Sequence, residues 1–155
     1  MDKDKIFTVI ATGFFTGFSN VAPGTIGTLV AIPLYFIINL FFSSFFVFLF
    51  GLLLLVVGYF AADHYASISD EPDPKEVVID EIAAFYLLIF FAPLGTFSMI
   101  IKLPILFGLF RFFDIFKIYP TNLAERFNGG LGIMLDDLVA AVYAYVAYLI
   151  ILWAL

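Results

Sequence analysis

The sequence predicts an all-α, polytopic membrane helical bundle, with about five spanning helices after an N-terminal re-entrant or interfacial half-helix. Two observations predict it. Hydrophobic residues make up 64% of the chain and charged residues 13%, whereas an ordinary soluble domain is nearer ~45–50% apolar. The charges are also spaced apart: Ile6–Ala62, Ile82–Ile101 and Leu138–Leu155 contain no Asp, Glu, Lys or Arg over 57, 20 and 18 residues. A bilayer core of about 30 Å takes ~20 apolar residues per helix, and helices satisfy their own backbone in lipid. The length of 155 residues predicts a single domain, 1–155.

The elements follow in order. Met1-Asp2-Lys3-Asp4-Lys5 mixes charge signs and leads into an uninterrupted apolar run, unlike a signal peptide. Ile6–Phe18 is too short to cross and reads as the half-helix, broken by Ser19-Asn20-Val21-Ala22-Pro23-Gly24-Thr25. Ile26–Phe42 is a span with Pro33 as a kink. Ser43-Ser44 turns the chain, and Phe45–Ala62 returns it. Asp63–Ile79 is a polar loop punctuated by Pro72 and Pro74, with His64 a loop residue. Asp80–Ala92 and Phe97–Phe110 form a short hairpin about Pro93-Leu94-Gly95. Arg111–Gly130 is a second polar segment. Gly132–Leu155 is the last span, with Tyr148 and Trp153 as interface anchors. The Phe residues read as lipid-facing bulk.

This path gathers the N-terminus, the 63–81 loop and the 111–137 segment on one side, with Lys3, Lys5, Lys75, Arg111, Lys117 and Arg126. Lys102 is the exception. Basic residues in short loops mark the cytoplasmic side, and all 13 acidic residues lie there too. The chain has no cysteine and one histidine, which excludes disulfides, thiolate chemistry and a multi-histidine metal cage. A net charge of −6 argues against nucleic acid as a partner.

Four clusters carry possible chemistry. Asp80-Glu81, followed by Ala83-Ala84, and Asp136-Asp137, followed by Ala140-Ala141, each place two carboxylates at the mouth of an apolar helix. The small residues beyond them let helices approach closely. A single acid at a helix start is as readily a cap. Two doublets exceed what capping needs, and four carboxylates offer the hard oxygens that Mg²⁺ takes. Arg111, Asp114 and Lys117, three apart, share a helix face. They read equally as an interfacial ion-pair ladder or as a phosphate clamp. Gly13, Gly17 and Ala22-Pro23-Gly24-Thr25-Ile26-Gly27-Thr28 read on spacing alone as a re-entrant turn; exposed N–H groups at Gly24 and Thr25 would also suit an anion.

Taken together, these motifs resemble the phosphatidylglycerophosphatase A family. They include Phe110-Arg111-Phe112-Phe113-Asp114-Ile115-Phe116-Lys117, Pro120, Glu125-Arg126, Gly129-Gly130-Leu131-Gly132-Ile133-Met134-Leu135-Asp136-Asp137, Val78-Ile79-Asp80-Glu81 and the Pro23-Gly24-Thr25 turn. They occur in family order. The chain departs from the usual pattern at Ile118-Tyr119, Glu125 and Ala83-Ala84.

The resemblance implies a bacterial inner-membrane phosphatase that converts phosphatidylglycerophosphate to phosphatidylglycerol and inorganic phosphate at the cytoplasmic face, with Mg²⁺ as cofactor. In this reading Asp80, Asp136 and Asp137 hold the metal. Glu81 or Asp114 takes the proton of the attacking water. Arg111 and Lys117 grip the phosphoryl group, with Gly24 and Thr25 adding backbone donors. The rival expectation is a small transporter or channel subunit with an acidic cytoplasmic ion site.

Overall fold

A computed structural model describes residues 2–117 and 129–155. Pro120, Glu125 and Arg126, and the middle of the second polar segment, lie outside the described residues. The described residues form helices α1 (Lys3–Ala11), α2 (Pro23–Phe41), α3 (Ser44–Ser69), α4 (Ile79–Phe91), α5 (Met99–Phe116) and α6 (Gly130–Ala154), with a 3-10 turn at Thr16–Phe18 after α1. Among the described residues there is no strand.

Among the described residues three helices, α2, α3 and α6, are long and apolar enough to cross a membrane. The expectation of about five is not reproduced. The 13 residues of α4 extend only about 20 Å at 1.5 Å per residue. The 18 residues of α5 carry Lys102, Arg111 and Asp114.

The short helix is the centre of the bundle. Ten residues of α4 are buried, and it packs against α2, α3, α5 and α6. The small residues that the sequence places behind each acid doublet make this possible: Ala83, Ala84, Ala140 and Ala141 are all buried. Halfway along α4, the Tyr86 hydroxyl donates to the Val47 carbonyl at 3.1 Å.

Several local expectations need correction. α3 continues through His64 to Ser69 instead of ending at Ala62, because no helix breaker occurs before Asp70, which takes a left-handed conformation (φ 58°). His64 is therefore helical, and its Nε2 lies 2.8 Å from Asp4 Oδ1. α5 runs to Phe116, so Arg111 and Asp114 share a helix as their spacing predicts, and the second polar segment begins only after it. Tyr148 is not an interface anchor. It is buried, and its hydroxyl donates to the Pro93 carbonyl at 3.0 Å. Trp153 is 89% exposed. Most phenylalanines do face outward, but Phe85 and Phe110 are fully buried against each other, ring centroids 5.4 Å apart.

Lys102, the outlier in the charge pattern, is 3% exposed. Its Nζ donates to the carbonyls of Ala92 (2.5 Å) and Ile89 (3.2 Å), the unpaired C-terminal acceptors of α4. A lysine deep in an apolar bundle is thus explained by helix capping, independent of the sidedness rule.

Candidate active site

The chain order sets up one polar end. The N-termini of α2, α4 and α6 and the C-terminus of α5 meet around a hollow of about 600 Å³. α4 brings Asp80 and Glu81 in its first turn. α5 brings Arg111 and Asp114 near its C-terminus, and Lys117 just beyond it. α6 brings Asp136 and Asp137 in its second turn, and α2 brings Gly24. Eight of the nine residues singled out from the sequence therefore line one hollow. Thr25, the ninth, is half-buried on α2 and is not among the lining residues.

Neither doublet occupies a cap position, although Asp80 and Glu81 stand in the first turn of α4, where the helix dipole favours an acid. The cap position of α4 is Val78, and that of α6 is Gly129. The α6 terminus is served from another helix: Asp63 of α3 accepts the Gly130 N–H at 3.0 Å. Gly129 and Gly130 press so closely on Asp63 and the Tyr59 carbonyl that a side chain at either would collide. The sequence placed Asp63 in a loop and gave no sign of this contact.

Inside the hollow the charges interlock. Arg111 Nη1 lies 2.9 Å from Glu81 Oε1 and 2.7 Å from Asp114 Oδ2, and it donates weakly to Thr28 Oγ1 at 3.4 Å. Thr28 is buried and sits one turn from Gly24, whose carbonyl accepts its hydroxyl at 2.9 Å. Lys117 Nζ lies 2.5 Å from Asp136 Oδ2. These contacts extend the ion-pair ladder of Arg111-Asp114-Lys117 beyond its own helix. Arg111 and Asp114 do pair along the helix, but Arg111 also reaches α4 and Lys117 reaches α6.

The Pro-Gly-Thr turn has a concrete use. The Glu81 carboxylate rests against Gly24 and Gly27, and a Cβ at Gly24 would overlap it. Glycine at these two positions is what lets a charged side chain pass between two packed helices.

Buried oxygens remain available. Asp80 Oδ1, Glu81 Oε2 and Asp137 Oδ2 are buried without a hydrogen-bond partner, as is Arg111 Nε. Asp137 is only 4% exposed. Leaving such groups unsatisfied is costly. Clustered hard anionic oxygens are the donor type that Mg²⁺ takes, so the residues fit a divalent cation chemically. Among the described residues no three carboxylates already stand around a common point. They line the walls of a shared space.

The model of the phosphatidylglycerophosphatase A family matches residues 9–152. The chain is 35% identical to a putative phosphatidylinositol-3-phosphatase of Bacteroides thetaiotaomicron, over 95% of this chain and 94% of that one. It is 31% identical to phosphatidylglycerophosphatase A of Haemophilus influenzae, over 89% and 83%, and 30% identical to that of Escherichia coli, over 86% and 76%. No solved structure matches significantly. With the matched region running from α1 to the end of α6, the chain belongs to the phosphatidylglycerophosphatase A family and is a phosphatase.

Proposed function

We propose that the protein hydrolyses the terminal phosphomonoester of phosphatidylglycerophosphate, releasing phosphatidylglycerol and inorganic phosphate, with Mg²⁺ and at the cytoplasmic face of a bacterial inner membrane. The observation that carries this reading is the gathering of five carboxylates, one arginine and one lysine from three helices around a single hollow. Family membership replaces the transporter alternative.

The division of labour follows from the side chains. Asp80, Asp136 and Asp137 would hold the cation. When bound, it neutralises phosphate oxygens and lowers the pKa of water. Arg111 is tethered by Glu81 and Asp114. Its fork is thereby preorganised, and Nε is left to donate to a phosphate oxygen. Lys117, at the end of α5, contributes a point charge. Glu81 keeps one buried oxygen without a partner, which suits it to take a proton from water in line with the phosphorus. Asp114 is the other acceptor in reach of Arg111. Apolar helix faces leave room for the acyl chains in the leaflet, so the headgroup alone enters the hollow.

A second substrate is favoured by one comparison: the Bacteroides thetaiotaomicron relative is described as acting on phosphatidylinositol 3-phosphate. Both lipids present a phosphomonoester beyond a phosphodiester. The test is phosphate release by the purified protein from each lipid in detergent micelles, with Mg²⁺ and with excess chelator. Faster turnover of phosphatidylglycerophosphate, lost in chelator, is expected. Full activity in chelator would refute the metal assignment, and preference for the inositol lipid would reassign the substrate.

A further inference from the structure

The mouth of the hollow carries a cation with no task in the scheme above. Between α3 and α4 the chain passes through Pro72-Asp73-Pro74-Lys75. This loop is clamped. The Val77 N–H donates to the Pro74 carbonyl at 2.9 Å, closing a turn over Lys75 and Glu76. Pro74, Val77 and Val78 are buried. The Val78 N–H donates to the Ala11 carbonyl at 2.9 Å, and Gly17 lies so close to the Glu76 carbonyl that no side chain would fit there. The start of α4 holds the turn from below, and the N-terminal segment holds it from the side.

Lys75, at the tip, is exposed and lines the hollow. The other two lining cations are engaged, Arg111 with Glu81 and Asp114, and Lys117 with Asp136. Among the described residues no carboxylate stands within ion-pair distance of Lys75, although Asp73 lines the same rim. The clamped backbone fixes where the Lys75 side chain starts, at the rim of the hollow.

The substrate of the proposed function, on which this inference rests, sets the geometry. Phosphatidylglycerophosphate carries two phosphates. The terminal one reacts in the depth of the hollow. The inner phosphodiester, one glycerol away, lies nearer the rim of the hollow. We propose that Lys75 receives this non-reacting phosphodiester, a specificity contact that favours lipids with two phosphates over those with one. Lysine suits it, since a point charge tolerates either diester oxygen.

The experiment compares wild type with Lys75→Gln and Lys75→Arg, and with Lys5→Gln as an exposed lysine outside the hollow. Hydrolysis is measured in neutral-detergent micelles, with two inhibitors: phosphatidylglycerol, which has only the diester phosphate, and inorganic phosphate, which mimics the reacting one. Lys75→Gln should raise KM for phosphatidylglycerophosphate and Ki for phosphatidylglycerol by about fivefold each. The kcat and the Ki of inorganic phosphate should stay within about twofold, and Lys75→Arg should restore both raised constants. An unchanged Ki for phosphatidylglycerol overturns the proposal. So does an equal effect of Lys5→Gln, which would mean general attraction to an anionic surface. Absence of hydrolysis by the wild type is a different result: it refutes the proposed function itself. A preference for the inositol lipid leaves the Lys75 test standing, because that lipid also has a diester phosphate.

Discussion

Arg111 is the residue on which the charge arrangement turns. Its guanidinium joins Glu81 of α4, Asp114 of its own helix and Thr28 of α2. Arg111→Lys keeps the charge but loses the planar fork, so it cannot hold two carboxylates and a phosphate at once. We expect kcat/KM to fall by about 100-fold or more, with the protein still folded. Asp80→Asn and Asp136→Asn should each lower turnover by at least about 100-fold, while thermal unfolding in detergent stays close to wild type. Wild-type rates in both would reduce these acids to structural groups. Gly24→Ala tests the close approach of α2 and α4. The added methyl must displace the Glu81 carboxylate, at a stability cost of about 1–3 kcal/mol, and activity should drop further than stability. The chemistry-bearing residues were readable one by one, since acid doublets and a basic ladder stand out in an apolar chain. Thr28 was not: a threonine in an apolar helix gives no signal until a partner 83 positions away arrives.

At the level of elements, two helices that hold the site are fixed at their ends by charged side chains from neighbours. Lys102 caps the C-terminus of α4, and Asp63 caps the N-terminus of α6. Lys102→Met fills similar space but leaves buried carbonyls unpaired, so it should destabilise the fold by about 1–3 kcal/mol. Thermal unfolding in detergent measures this. For Asp63, Ala should lower stability by about 1 kcal/mol and Asn should recover most of it, because an amide oxygen still accepts the Gly130 N–H. The spans α2 and α6 were legible to within a few residues from apolar length. The end of α3 was not, because Asp63–Ser69 is polar without being helix-breaking, and polarity alone does not separate a helix end from a loop. The two caps were equally hidden. Each joins residues on different helices, and nothing local marks Lys102 or Asp63 as a partner of a distant terminus.

For the molecule as a whole, the helix ends that form the hollow lie at one pole, and the Ser43 turn lies at the other. The chain contains no cysteine, so single Cys substitutions report sidedness cleanly. Ser69→Cys should react with an impermeant maleimide only from the proposed cytoplasmic side, and Ser43→Cys only from the opposite side. The reverse pattern would invert the orientation drawn from the basic residues. The proposed sidedness draws on the parity of crossings and the charge distribution and needs no span boundaries. The number of full crossings could not, because a central helix of 13 residues and a hairpin of two short spans look alike in hydropathy.

The pairing of Glu81 with Arg111 has a consequence for how the protein is made. The two partners are 30 residues apart, and the acid leaves the ribosome first. A buried carboxylate without its partner is costly, so the first turn of α4 is fully satisfied only once α5 has delivered its counter-charge. The order of synthesis thus makes the second half of the chain complete what the first half begins.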